Sequence, residues 1–174
     1  MKNWLSIIIV TFLLTACSHQ QLEDYAGSSP TMNVKSFFEG ELEAKGVVMD
    51  RSGQVQRRFV VTMLGTWQGN KGKLEEWFVF DDGEKTTRTW HFEKQGTGVY
   101  VGRASDVVGP AQGKQIGFAL QWKYELDLEV AGSQYRVEFD DWLYQVDETT
   151  VINRSYINKW GLQVGEVILV INKI

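Results

Sequence analysis

The chain has 174 residues, among them 18 Lys and Arg, 22 Asp and Glu, 2 His and 1 Cys. This length fits one domain, with or without a tail. The formal net charge of −4 argues against a nucleic-acid partner, because no basic surplus exists to neutralise phosphates. A single Cys excludes an internal disulfide framework and a Cys-rich zinc site. We expect neither a metal ion nor a cofactor.

The N-terminal residues predict an export signal that ends at a lipidated cysteine. Lys2 precedes an apolar run from Leu5 to Leu14. As a helix this run is about 15 Å long, which is too short for a hydrocarbon core of ~30 Å. Such a run followed by small residues is typical of a secretory signal peptide, here 1–16. The sequence LTAC that ends at Cys17 resembles a bacterial lipobox, in which the cysteine is acylated; a free buried cysteine is the alternative.

Acyl chains on Cys17 would attach the protein to a membrane. Each buried methylene contributes roughly 0.8 kcal/mol, so several chains together anchor a lipoprotein stably. Lipoproteins kept at the inner membrane often carry Asp after the cysteine, and Ser18 therefore favours the periplasmic face of the outer membrane. Residues 17–35 are polar, which predicts a tether to a domain at 36–174. Tyr25 either packs on this domain or belongs to an extended leader, which is the simpler alternative.

The domain has the pattern of strands and turns. Runs rich in Val, Phe, Trp and Tyr alternate with turn signals made of Gly, Asn and Asp. The clearest run is 118–130, where apolar and polar residues alternate as in a strand with one buried and one wet face. No segment has a convincing helical period, and 105–116 is predicted to be a long connection. Nine strands are predicted, at about 37–49, 55–67, 73–81, 85–94, 98–104, 117–130, 134–146, 149–158 and 166–173.

These strands favour an all-β, antiparallel up-and-down barrel. Consecutive hairpins with one wet face indicate an antiparallel sheet, and closure of that sheet removes its exposed edges. A β-sandwich is the alternative, but connections of Greek-key length are lacking in the sequence. A barrel of eight or nine strands has room for packed side chains or for one small ligand.

The predicted arrangement, consecutive hairpins with aromatic side chains that face the barrel interior, resembles a lipocalin-like (calycin) barrel. More specifically, the chain resembles the DUF3833 family of bacterial lipoproteins over nearly all of 25–174. The matching motifs are FFEG from Phe37, DRSG from Asp50, RRF from Arg57, GTWQG from Gly65, DDGE from Asp81, DVVG from Asp106, FDDW from Phe139 and GEV from Gly165. The resemblance implies a lipid-anchored barrel and no particular activity, because the family has no established one.

Large rings on the inward face of the strands form the candidate ligand site. Trp122 and Tyr124 lie on the apolar face of their run, and Arg88 shares a face with Trp90. Filling the core is the default role of such rings. In the alternative, the same rings form the wall of a site for an apolar ligand.

Charged residues on inward faces admit two interpretations. Asp141 is predicted to face inward, and Arg103 shares a face with Val99 and Val101. Because a buried carboxylate is costly unless it is paired, Asp141 is expected to pair with Arg88 or Arg103. In one interpretation such a pair only fixes the register. In the other, an inward arginine binds the carboxylate or phosphate head of an amphiphile.

Catalytic arrangements find little support in the sequence. Asp81 and Asp82 precede a glycine and predict a hairpin turn. His91 stands alone and is expected to face outward, so no Ser-His-Asp set can be assembled. An enzyme that acts on lipid would have to use Asp140 or Asp141 as acid or base. We expect no catalytic activity.

The sequence supports two functions. In the favoured one, a lipid-anchored barrel of the cell envelope binds an apolar or amphipathic ligand, such as a fatty acyl chain, with Arg88, Trp90, Arg103, Trp122, Tyr124 and Asp141 at the site. In the alternative, the barrel is filled by its own side chains, and the lipoprotein binds an envelope protein through its acidic outer face. An open cavity above ~300 Å³ would favour the ligand.

Overall fold

The structure is a computed structural model that describes residues 20–130 and 132–174. Ten antiparallel strands follow one another in chain order, and pairing of the first with the tenth closes the barrel. The strands are β1 Gly40–Asp50, β2 Val55–Gln68, β3 Lys71–Phe80, β4 Lys85–Gly96, β5 Val99–Arg103, β6 Val107–Ile116, β7 Ala119–Val130, β8 Ser133–Gln145, β9 Thr150–Lys159 and β10 Leu162–Lys173. The predicted antiparallel barrel is confirmed, with ten strands where nine were predicted.

The additional strand is β6, and the prediction of a connection at 105–116 is wrong. Gly109 and Pro110 made this stretch resemble a loop, because a proline cannot donate to a sheet ladder and is rare inside strands. The pairing of β6 with β7 shifts register between Val108 and Gln112, and Gly109 has a φ of 72°. This irregularity takes the proline out of the regular ladder, so the strand continues on both sides of it.

A short helix, α1 (Val34–Phe38), closes one end of the barrel. Val34 and Phe38 are buried in the main core together with residues of the barrel interior. The Lys173 Nζ at the end of β10 donates hydrogen bonds to the carbonyl oxygens of Ser36 at 2.9 Å and Glu39 at 2.6 Å. These bonds satisfy carbonyl groups that the end of a helix leaves without intrahelical partners. The opposite end of the barrel, which we call the open end, carries the turns β1–β2, β3–β4, β5–β6, β7–β8 and β9–β10.

The segment before α1 is not an extended leader. Residues Leu22–Tyr25 form one turn of 3-10 helix, and Leu22 packs against Ala119 and Trp142 on the outer face of the barrel. The Tyr25 ring lies 5.0 Å from the ring of Phe118. The described part of the predicted tether thus covers an apolar patch that would otherwise be exposed, which corrects the simpler alternative for Tyr25.

Two predicted features lie outside the described residues: the signal peptide 1–16 and the acylation site Cys17. Among the helices that the structure describes, none is long and apolar enough to cross a bilayer.

Glycines inside the strands let the largest rings approach the backbone. A Cβ on Gly102 would lie 2.3 Å from Cζ2 of Trp122, and one on Gly113 would lie 2.3 Å from Cε3 of the same ring. The Trp122 indole therefore lies flat on β5 and β6, where any larger residue would displace it. This close contact fixes the position of one wall of the barrel interior.

Candidate ligand site inside the barrel

The barrel contains a cavity of about 520 Å³. This volume falls within the range of about 300–1,000 Å³ that is usual for small-ligand sites. Val34 and Phe38 of α1 line it at the closed end. At the open end it is lined by Phe80, which is partly exposed, and by Glu129, which is exposed. The cavity therefore reaches solvent at the open end, and the interior is not filled by side chains.

Aromatic rings form much of the cavity wall. The Trp90 ring lies 5.6 Å from the Trp122 ring and 5.3 Å from the Tyr124 ring, both in edge-to-face arrangements. Tyr124 stacks on Phe139 at 5.1 Å. These geometries are the favoured ones for aromatic pairs. Because the rings hold one another in place, the apolar wall is preformed. All four line the cavity, which places Trp90, Trp122 and Tyr124 where the strand alternation predicted them.

A group of polar side chains interrupts this wall near the middle of the barrel. Its members come from five strands, and we call them the polar cluster: Glu76, Arg88, Tyr124, Asp141 and Ser155. Glu76 on β3 lies directly opposite Arg88 on β4. Asp141 on β8 lies directly opposite Ser155 on β9. Alternation along each strand turns these side chains inward, and the sheet register brings them to similar depth.

Arg88 is the cation of the polar cluster, and it is already paired. Its Nε and Nη2 donate to Oδ2 of Asp106 at 2.8 Å and 2.7 Å. Burial opposes the charge of Arg88, but electrostatic interactions with Tyr124, Glu76 and Asp106 outweigh it and hold the pKa of the guanidinium above its usual value. Arg88 therefore stays charged and contributes the one positive charge of the cluster.

The two carboxyl groups of the polar cluster are incompletely paired. Burial raises the pKa of Glu76 to about 7, against the opposing effect of Arg88. Burial likewise raises the pKa of Asp141 to about 7, although the hydroxyls of Ser155 and Tyr124 and the charge of Arg88 oppose the shift. The Glu76 Oε2 and the Asp141 Oδ1 are buried and have no hydrogen-bond partner. Both groups consequently change charge near neutral pH, inside a cavity.

A second arginine lies nearer the open end. The Arg57 Nη2 donates to Oδ1 of Asp82 at 3.0 Å and to Oε2 of Glu84 at 2.8 Å. The Arg57 guanidinium carbon lies 3.7 Å from the centre of the Phe80 ring, a cation–π distance. Asp82 belongs to the predicted turn, which joins β3 to β4. Arg57 is therefore fixed at the entrance by two acids and a ring.

Arg103, one of the predicted site residues, does not reach the cavity. Arg103 does share a face with Val99 and Val101, but that face is the outer one, because Tyr100 and Gly102 point inward. The sequence showed which residues share a face and left open which face is buried. Arg103 is accordingly exposed and cannot pair with Asp141. The other predicted partner of Asp141, Arg88, is paired with Asp106 instead, so the predicted ion pair of Asp141 with an arginine is wrong.

Several cavity residues were not predicted from the sequence. Glu76 alternates with Leu74 and Phe78, and this period of two was a signal that it faces inward. Asn153 and Ser155 are buried on the inner face of β9, where the Ser155 Oγ donates to Oδ1 of Asn153 at 2.9 Å. Small polar residues between apolar ones are weak sequence signals, because surface strands contain them as well.

Comparisons with known proteins bear on the family and the fold. The sequence profile of DUF3833, described as a protein of unknown function, matches residues 11–173. No curated protein matches the chain in sequence. Among solved structures, the S-type phycobiliprotein lyase CPES from Guillardia theta is similar, with a TM-score of 0.56 and 9% identity over 82% of this chain and 92% of that chain. At this identity the likeness shows the fold alone, a lipocalin-like barrel.

The fold comparison overturns the expectation that the chain is not an enzyme. That expectation rested on the lack of a nucleophile, histidine and acid set in the sequence. A protein described as a lyase has a similar barrel. The architecture is therefore compatible with catalysis, and a missing triad does not exclude it.

Proposed function

The chain belongs to the DUF3833 family, and we propose that it is a ligand-binding barrel of the cell envelope. It holds one apolar or amphipathic molecule, such as one with a fatty acyl chain, in the cavity inside the barrel. The cavity of about 520 Å³ carries this proposal. The alternative function, a filled barrel that serves only as a partner for another protein, lacks that support because the interior has room for a ligand.

The wall of the cavity suits an alkyl chain. Burial of each methylene contributes about 0.8 kcal/mol, so a ten-carbon chain contributes roughly 8 kcal/mol before the cost of ordering it. Part of this is lost to restricted motion of the ligand. We therefore expect dissociation constants on the order of 10 to 100 μM for a simple ten-carbon ligand.

Blocking the cavity should abolish binding of decan-1-ol. Val167 on β10 lines the cavity, whereas Val170 on the same strand is 37% exposed on the outer face. In Val167→Trp the indole occupies the space of the ligand, and we expect affinity to fall at least tenfold. Val170→Trp adds the same ring outside and should bind as the wild type does. Isothermal titration calorimetry of the full chain in nanodiscs measures both. Equal affinity of the two variants would contradict the proposal.

The second part of the proposal is attachment to the periplasmic face of the outer membrane through acylated Cys17. It is supported by the LTAC sequence and by Ser18. Gln20 accepts a hydrogen bond from the Tyr144 hydroxyl at 3.0 Å, near the closed end of the barrel. Because three residues extend the chain by at most about 11 Å, an anchor at Cys17 would hold that end close to the bilayer.

Metabolic labelling tests this attachment. In a bacterial host fed an alkyne analogue of palmitate, the wild-type chain should carry the label and Cys17→Ser should carry none, because the thiol is the acceptor of the lipid. Ser18→Asp keeps the thiol and should move the labelled protein from the outer-membrane to the inner-membrane fraction. Equal labelling of wild type and Cys17→Ser would contradict the acylation.

A further inference from the structure

We propose that the ligand of this cavity carries a hydrogen-bond-donating head group, most strongly a protonated amine, and that a carboxylate head group is disfavoured. This inference rests on the proposed function, because it names the chemical class that the same cavity prefers. It concerns the polar cluster in the middle of the barrel, where the head group of an amphiphile would meet two carboxyl groups that line the cavity.

The charges around the polar cluster do not balance. Three carboxyl groups, those of Glu76, Asp106 and Asp141, surround one cation, Arg88. Arg88 uses two nitrogens on Asp106, so this pair is close to neutral. The ionised forms of Glu76 and Asp141 are left without a cation of their own. A cationic or hydrogen-bond-donating ligand group in the cavity would supply the missing partner for these two carboxylates.

The polar cluster also lacks hydrogen-bond donors for its carboxylate oxygens. An ionised carboxylate only accepts hydrogen bonds, and an unpaired buried acceptor is costly. The unpartnered oxygens are Glu76 Oε2 and Asp141 Oδ1, and both side chains line the cavity. Rotation about the last torsion of a carboxyl group exchanges its two oxygens at low cost. A donor placed in the cavity can therefore bond either carboxylate.

An anionic head group at the polar cluster finds no free arginine there. Arg88 is paired with Asp106, and Arg103 lies on the outer face. Arg57, whose Nη2 is paired with Asp82 and Glu84 and whose Nε has no partner, lies nearer the entrance. A ligand carboxylate at the polar cluster would instead face two acidic groups, which repel it. The sequence analysis had instead suggested that an inward arginine binds an anionic head group.

Protonation of Glu76 and Asp141 should control the preference for an amine head group. The charged or titratable groups that face Glu76 are Arg88, Asp106, Asp141 and Tyr124. Those that face Asp141 include Tyr124, Arg88 and Asp140, the last on the outer side of the same strand. Because burial places both carboxyl pKa values at about 7, the groups ionise between pH 6 and 8. An alkylamine remains protonated there, so its affinity should rise with pH.

Three ligands with one chain length test the inference: decylamine, decan-1-ol and decanoate. Each is titrated calorimetrically at pH 8 into the full chain in nanodiscs, and the signal of Val167→Trp is subtracted as the background from lipid. We expect decylamine to bind about tenfold tighter than decan-1-ol, the gain usual for a hydrogen bond to a charged group. Decanoate should bind most weakly, and the preference for the amine should shrink at pH 6.

Paired variants assign the preference to the two acids. Glu76→Gln combined with Asp141→Asn removes both charges inside, and the amine should then bind no better than the alcohol. Glu75→Gln combined with Glu138→Gln makes the same change in net charge away from the cavity and should leave the preference intact. A thermal melt confirms folding, and single variants replace the double one if it fails to fold.

The outcomes separate the inference from the proposed function. Decanoate binding as tightly as decylamine to the wild type would overturn the inference and leave the function standing. The same amine preference in the inner double variant would also overturn it. If none of the three ligands binds above the background of Val167→Trp, the proposed function itself fails, and the inference with it.

Discussion

Arg88→Leu should lower the free energy of unfolding by about 1–3 kcal/mol at pH 8, the usual cost of leaving a buried polar group without its partner, because the partner Asp106 is itself 44% exposed. The arginine faces Glu76 across the strand pair and donates twice to Asp106. Without it, Glu76 and Asp141 would share the barrel interior with no compensating charge. Leucine keeps much of the apolar stem, so the loss reports the charge and the hydrogen bonds more than the packing.

Arg103→Leu is the matched control for Arg88→Leu. It makes the same substitution on the neighbouring strand, but on the outer face, where surface changes usually stay within about 0.5 kcal/mol. Urea unfolding followed by circular dichroism measures both variants. At pH 5 most of Glu76 and Asp141 is protonated, so the loss in Arg88→Leu should be smaller than at pH 8. Equal losses in the two variants would contradict the role given to Arg88.

Removing the two buried acids should stabilise the protein at pH 8. The folded-state pKa values of Glu76 and Asp141 are about 7, above their usual 4.5 and 3.8. The folded protein therefore binds more protons than the unfolded chain between about pH 4 and 7, and its stability falls as pH rises through that window. Once ionised, each group lowers the free energy of unfolding by roughly 3 kcal/mol. Water in the cavity would make this loss smaller.

The variant with Glu76→Gln and Asp141→Asn should thus gain several kcal/mol over the wild type at pH 8 and little at pH 5. Amides keep the shape of the carboxyl groups without the charge. Glu75→Gln with Glu138→Gln serves as the control, because neither of these side chains lines the cavity. Thermal unfolding at both pH values measures the difference. A stabilisation that does not depend on pH would show that the buried charges are not its cause.

These two expected results describe an interior that is less stable than an apolar one would be. A barrel selected only for stability would fill its middle with Leu or Val. Instead, Glu76 and Asp141 remain beside a single cation in an open cavity. Local violations of stability rules of this kind are typical of functional sites.

The period of two along the strands was enough to predict the barrel and most of its inner face. It placed Arg88, Trp90 and Tyr124 correctly, because the pairings of β3 with β4 and of β7 with β8 keep one register throughout. The prediction failed at β6, where Pro110 and a register shift interrupt the regular pairing with β7. It also failed for Arg103, since alternation groups residues by face and says nothing about which face is buried.

Other parts of the site depend on distances that no local pattern contains. The separation of Glu76 from Asp141 follows from strand number, tilt and stagger, which jointly set the width of a barrel. The cavity exists because the inward rings pack against one another and against glycines such as Gly102, leaving space between them. The packing of Leu22 and Tyr25 on the outer wall likewise depends on tertiary contacts with residues about a hundred positions away.

The central claim is that the barrel cavity receives an amphiphile with its head group at the polar cluster. A crystal structure of the chain grown with decylamine tests it most directly. We predict a single alkyl chain between Trp90 and Phe139, with the nitrogen at a hydrogen-bonding distance of about 2.7–3.2 Å from Glu76 or Asp141. An interior collapsed onto its own side chains, or decylamine bound only on the outer face, would contradict the claim.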